Sequence, residues 1–194
     1  MSEFNIPQQS RRMSTEMLAV IIIGVLVLAG VVVPLLSNAM KFRKTAQARL
    51  DVNSLETVIN LYLTQYQKLP VPAADQGVAD KTYDSNTVFE LLNTLRAIDL
   101  GVGWNKGHAL NPQRTVFLDL IKRAGSVDRQ GRLLDPWGGI YSIALDTNFD
   151  GHVLYSNQTY TISRKTSAVV VSFGPNGKPD DPVKGQSDDI ISGM

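Results

Sequence analysis

The chain has no cysteine, only two histidines and no surplus of either charge: among 194 residues, 19 Lys and Arg stand against 18 Asp and Glu, a formal net charge of +1. Each shortage removes a class of function. Without thiols there is no disulfide framework, no thiolate metal site and no cysteine nucleophile. An oxidising compartment stays open, but something other than disulfides must then hold the fold. Balanced charge argues against a nucleic-acid binder that relies on an overall basic field. Enzyme signatures are missing too: there is no G-x-S-x-G, H-E-x-x-H or phosphate-binding P-loop, and His108 and His152 stand alone in a glycine-rich loop and beside a turn. Paired acids such as Asp180 and Asp181 lack the apolar pocket that shifts a carboxyl pKa for acid–base work. Trp104, Trp137 and the tyrosines read as core and interface residues. The chain is therefore expected not to be an enzyme.

What is present is a single uncharged run, Met17 to Leu36, MLAVIIIGVLVLAGVVVPLL. Twenty helical residues at 1.5 Å each span ~30 Å, the thickness of a bilayer's hydrocarbon core. A transmembrane helix over 17–36 is the leading reading, because the run has no polar face for a small domain to leave in water. A cleaved signal peptide competes with it, with Ser10-Arg11-Arg12 as its basic start and Ser37-Asn38-Ala39 as its cleavage site. Glu16 sits at the edge of the run, where an unpaired carboxylate in lipid is costly, so it is a functional candidate. Pro34 is expected to kink the helix near its far end. Arg11 and Arg12 before the run are matched by Lys41, Arg43, Lys44 and Arg49 after it, so charge bias leaves the orientation open. The latter four read as a collar facing lipid headgroups.

Beyond Ser37 the pattern turns amphipathic without a strong breaker. Val52, Leu55, Ile59, Tyr62 and Tyr66 recur at intervals of three and four, with Asp51, Asn53, Glu56, Asn60 and Gln65 between them. This predicts one long helix over 13–67 that ends at Lys68-Leu69-Pro70-Val71-Pro72. A globular head over 68–194 follows. Within it, Pro70 to Thr82 reads as a loop, and Asn86 as the cap of a short helix with Val88, Leu91, Leu92, Leu95 and Ile98 on one face. Residues Thr115 to Ile121 are ambiguous. Strands are expected at Ile140–Leu145, Val153–Tyr155, Thr159–Ser163 and Ala168–Phe173, giving a small antiparallel sheet covered by the stripe of the long helix. The fold class is α+β.

Two acidic segments are candidates for oxygen-ligand chemistry. The tail after Asn176 carries Asp180, Asp181, Asp188 and Asp189, offset by Lys178 and Lys184. It reads as a solvated acidic loop or as a Ca²⁺ site, since that ion takes six to eight carboxylate and carbonyl oxygens and would cancel the repulsion. The weaker candidate is Asp146-Thr147-Asn148-Phe149-Asp150-Gly151, which matches the opening of an EF-hand loop at Asp146, Asn148 and Asp150. Its twelfth position is Asn157 in place of a bidentate Glu, and the same residues suit a hairpin turn.

Residues Arg11 to Pro72 resemble the N-terminal segment of type IV pilins and of the pseudopilins of type II secretion systems: a basic leader, Thr15-Glu16-Met17-Leu18-Ala19-Val20, a long apolar helix with a late proline, and an amphipathic continuation. Leu134-Asp135-Pro136-Trp137-Gly138 resembles the Asp-Pro-Trp-Gly turn of the major pseudopilin. Ser172-Phe173-Gly174-Pro175-Asn176-Gly177 and Ser187-Asp188-Asp189-Ile190 resemble its C-terminal elements. The resemblance implies a pilin-like fold. It also implies a leader over 1–12 removed by a prepilin peptidase, with methylation, and a pairing of Glu16 with the N-terminal amine of a neighbouring copy. At the processing junction this sequence has Arg11 and Arg12 where the family has Gly and a hydrophobic residue, so either Met13 becomes the new N-terminus or the leader stays on. In the acidic loop 174–194 the resemblance implies calcium held by Asp188 and Asp189, with the carbonyl of Phe173, and with Asn176 where the family has Asp. The implied role is a filament subunit, single-pass in the inner membrane with its head outside the cytoplasm. Its implied partners are copies of itself, minor pseudopilins, an inner-membrane assembly platform and membrane lipid; nucleic acid is not an expected partner, DNA capture by the basic residues Lys41, Arg43, Lys44 and Arg49 being the minor alternative. A membrane-tethered extracytoplasmic enzyme or binding protein is the alternative. It calls for a flexible linker after the anchor, and residues 37–67 supply none.

Overall fold

The computed structural model describes residues 15–119, 127–182, 185 and 187–194. Arg11 and Arg12, with the rest of the expected leader, lie outside the described residues, as do the side chain of Glu16 and many side chains between 19 and 34. The chain divides into two compact units, 1–42 and 43–194. In the first, the described residues are helical from Thr15 onward and through Pro34. Among the described residues no helix is long and apolar enough to cross a membrane.

The second unit is an α+β head. Helix α1, Thr15–Tyr66, enters it with its amphipathic part, and Ala48, Val52, Leu55, Ile59 and Tyr62 are all buried along one face. Gln67 then takes a left-handed backbone (φ 54°). Its amide donates to the Leu63 carbonyl at 2.8 Å, which closes the last turn before Pro70. Strand β1, Lys81–Tyr83, occupies the end of the segment expected to be a loop, because Thr82 and its neighbours pair with a strand distant in sequence. Helix α2, Ser85–Leu95, starts ahead of the expected cap Asn86. Here the Thr87 hydroxyl accepts from the Asp84 amide (2.9 Å) and donates to the Asp84 carbonyl (2.6 Å), so Asp84 takes the capping position. Val88, Leu91, Leu92 and Leu95 are buried as the spacing requires.

Strands β2 (Ser142–Leu145), β3 (Val153–Ser156), β4 (Thr161–Arg164) and β5 (Ala168–Ser172) fall where the sequence places them, and β6 (Ile190–Ile191) adds a short unexpected strand. The expected single sheet is two. One has the order β1-β2-β5-β6, antiparallel throughout, and the other is the β3–β4 hairpin. The reason is alternation on β2 and β5. Ile143, Leu145, Ala168 and Val170 join the α1 stripe in one core cluster, while Ala144, Val169 and Val171 join Val153, Tyr155 and Tyr160 of the hairpin segment in another. Both central strands are thus buried on both faces, which explains their near-continuous apolar runs. Side chains from the β1 segment cap the outer edge of β3: Leu154 N–H donates to Asp80 Oδ2 (2.7 Å) and Ser156 N–H to Thr82 Oγ1 (3.5 Å).

The polar positions of α1 hold the rest of the head in register. Tyr141 donates to Asp51 Oδ2 (2.9 Å), Thr166 to Glu56 Oε1 (2.6 Å), Ser167 to Asn60, and the Gly193 amide to Asn53 Oδ1 (2.9 Å). Asn111, fully buried, organises the glycine-containing segment: its Nδ2 donates to the carbonyls of Thr94 and Thr115, and its Oδ1 accepts from Tyr66 and the Thr115 amide. Trp104 packs edge-to-face on Tyr83, ring centroids 5.7 Å apart, against the main cluster.

Candidate metal centre

The site begins with a turn that joins two motifs 37 residues apart. Asp135 is 3% exposed. One carboxylate oxygen accepts the amides of Trp137 (2.9 Å) and Gly139 (2.7 Å), and the other accepts the Ser172 hydroxyl at 2.6 Å. The middle turn is thereby locked to the end of β5, where the acidic loop starts.

Residues 173–189 connect β5 to its antiparallel neighbour β6, and the pairs Val171 with Ile191 and Ser172 with Ile190 close the loop at its neck. Asp188 and Asp189 stand directly before β6, so this pairing carries them beside residues 174–176. Gly174 is required here: its φ is +59° and a Cβ would collide with the Asp188 carbonyl. The loop folds Asp180 back onto the neck, where its amide donates to Asp189 Oδ2 (3.1 Å) and its carbonyl accepts the Ser187 hydroxyl (3.0 Å). Oxygens of Asp180, Asp188 and Asp189 come within 4.8 Å of one another. An ion ~2.4 Å from each oxygen, the Ca²⁺ distance, needs this spacing.

The electrostatics point the same way. Oδ1 of Asp188 and Oδ1 of Asp189 are buried without a hydrogen-bond partner among the described residues. The other oxygen of Asp189 accepts the Tyr160 hydroxyl at 2.7 Å, and the other oxygen of Asp188 accepts the Asn176 amide at 3.3 Å. Burial pushes the Asp189 carboxyl up to about 6 against the opposing pull of Tyr160, with the Asp180 and Asp188 charges adding to the rise. Burial and then Asp180 raise Asp188 as well. Carboxylates held close together with unpartnered oxygens disfavour their own charge, and a divalent cation reverses that preference. A groove of about 280 Å³, lined by Arg49, Ser187, Asp189 and Met194 among others, opens onto Asp189. The donor set is all oxygen, which suits Ca²⁺ and offers nothing to a thiophilic metal.

Of the residues expected to be ligands, Asp188 and Asp189 are brought together. Asn176 lies at the edge: its Nδ2 donates to Asp180 Oδ2 (2.6 Å) and its Oδ1 accepts the Lys178 amide (2.7 Å), so its oxygen is engaged in a local turn. The Phe173 carbonyl accepts the Gly177 amide at 3.2 Å. Asp180 belongs to the cluster and was not in the expected ligand set; only the folding back of the loop brings it in. At the weaker candidate, Asp146 accepts the amides of Asp150 (3.0 Å) and Gly151 (2.9 Å) with its two oxygens. Asn148 Oδ1 also takes the Asp150 amide, and Asp150 Oδ1 takes that of His152. Those oxygens close a turn between β2 and β3.

No family model, curated protein or solved structure matches this chain. The site therefore stands on its geometry. Among the described residues, Asp180, Asp188 and Asp189 form the one acidic cluster spaced for an ion.

Proposed function

We propose that the chain is a structural subunit of a type II secretion pseudopilus or type IV pilus-like filament, stored in the inner membrane through the run Met17–Leu36 and assembled from there. The observation that carries this reading is α1, Thr15–Tyr66, a single helix that begins in the apolar run and ends as a wall of the head's core. A tethered enzyme or binding domain would need a linker where α1 continues. The head is a small antiparallel sheet covered by that helix, consistent with a pilin-like layout. Leu50 and Leu61 support lateral packing, since both are more than half exposed and stand eleven residues, about three helical turns, apart on one face of α1. Glu16 would pair with the amine of a neighbouring copy, because a carboxylate in an apolar bundle requires a partner and so sets register.

In this reading calcium staples the head. The Asp180, Asp188 and Asp189 carboxylates would hold it, and the ion would supply the cross-link that a chain without cysteine lacks. The native absence of cysteine also makes the assembly test clean. Leu50→Cys and Leu61→Cys introduced together give the only thiols, so oxidation of the membranes should produce a ladder of disulfide-linked multimers. Glu16→Ala in the same background should collapse the ladder to monomer. A chain that stays monomeric before the Glu16 change overturns the filament reading.

A further inference from the structure

The step Asn176-Gly177 is the single Asn-Gly pair in the chain, and both residues are exposed. We propose that Asn176 modifies itself: it deamidates through a cyclic imide with Gly177 and places a fourth carboxylate against the Asp180, Asp188, Asp189 cluster. Two features of the geometry favour this. The Asn176 Oδ1 accepts the Lys178 amide at 2.7 Å, a turn that folds the side chain back over the peptide bond that must attack it. Gly177, with φ +66°, has no side chain to shield its nitrogen; its proton is held by the carbonyls of Phe173 (3.2 Å) and Gly174 (3.3 Å), and these two bonds must open before it attacks.

The chemistry balances without any helper. The Gly177 nitrogen gives its proton to solvent and bonds to the Asn176 side-chain carbon. The carbon–Nδ2 bond breaks, and Nδ2 takes up a proton and leaves as ammonia. Water then opens the imide at one carbonyl to give aspartate, or at the other to give isoaspartate with an extra backbone carbon. The product carboxylate replaces an amide that donates to Asp180 Oδ2 at 2.6 Å. Two carboxylates at that separation repel unless a proton or a cation lies between them. The consequence for calcium, a tighter and more necessary ion, rests on the proposed metal reading; the modification itself does not.

The test ages the full chain in lipid nanodiscs at mildly alkaline pH and maps peptides by mass. The expected result is a gain of one mass unit confined to the peptide with 176–177, rising to three units in heavy-oxygen water. Asn38, Asn148 and Asn157 serve as slower internal clocks. Asn176→Gln should abolish the gain. An unchanged 176–177 peptide, or a gain that persists in Asn176→Gln, overturns the proposal. A second arm melts the wild-type and Asn176→Asp chains with calcium or chelator, and a larger calcium shift in Asn176→Asp is expected. Equal non-zero shifts overturn the consequence for calcium. No shift in either chain, with the mass gain intact, removes the metal reading and leaves the modification standing.

Discussion

The head contains two kinds of acidic turn built from the same residue types. Asp135 and Asp146 are buried, and each directs both carboxylate oxygens at donors of the protein itself: amides of Trp137 and Gly139 and the Ser172 hydroxyl in one case, amides of Asp150 and Gly151 in the other. Among the described residues, Asp188 and Asp189 each keep one buried oxygen without a partner, and they face Asp180. The difference teaches that acidic turns of one composition are told apart by what their oxygens lack. A carboxylate saturated by backbone amides is a structural staple, whereas a set of mutually close, partly unsatisfied carboxylates is a stored repulsion that a cation relieves.

The comparison can be broken from either side. The largest expected effect is at the saturated turn: Asp135→Ala leaves the buried Ser172 hydroxyl and two amides without their acceptor. It should cost about 3 kcal/mol in denaturant unfolding of the full chain in detergent, equally with calcium or chelator. A calcium-dependent loss would erase the distinction. Next comes the ion itself. Calcium at about 100 times its Kd should stabilise the chain by about 2.7 kcal/mol, read as a rise in Tm over the chelated protein, and Asp189→Asn should remove most of that rise. An unchanged Tm in the wild type would return the loop to the class of solvated acidic segments. Third, Asp146→Ala should cost only about 1 kcal/mol, because the Asp150 and Gly151 amides it frees lie at an exposed turn and reach water. Its calcium response should equal that of the wild type in the same titration.

An effect of the same small size is one of pH. Asp189 is raised to about 6 in the folded chain, mainly by burial, above the ~3.9 of an unfolded aspartate. A carboxyl raised on folding favours the fold in its neutral form. Its contribution is full below about pH 4 and is lost as the pH climbs through about 6, a change of about 1 kcal/mol once solvent screening is allowed for. In chelator the Tm should fall across this window; in Asp189→Asn the fall should shrink to what the raised Asp188 contributes, and in calcium it should vanish. A Tm that rises through the window in chelator would contradict the burial that raises Asp189.

Much of the head was legible in residue spacing. The stripe Val52, Leu55, Ile59, Tyr62 is buried where period 3.6 places it, β2 and β5 fall within the expected runs, and β3 and β4 overrun theirs by one residue, at Ser156 and Arg164. Strand β1 was not legible. Lys81-Thr82-Tyr83 has no period of its own and is a strand only because β2 offers it partners, Thr82 opposite Ala144. The two-residue β6 hid in the same way beside β5. The cap of α2 was misplaced because Asn86 and Asp84 are both good capping residues, and the choice fell to the Thr87 hydroxyl three residues beyond Asp84.

By itself the sequence determined the long helix and its two faces, the absence of any disulfide, and the positions of the turns, because periodicity, glycine, proline and Asx chemistry act over a few neighbouring residues. Only the tertiary structure decided which acidic segment keeps carboxylate oxygens unsatisfied among the described residues. The turn at 146–151 finds its donors among its own amides. The pairing of β5 with β6 and the folding back of Asp180 press three carboxylates together, an outcome of contacts between residues nine to twenty positions apart that no local pattern records.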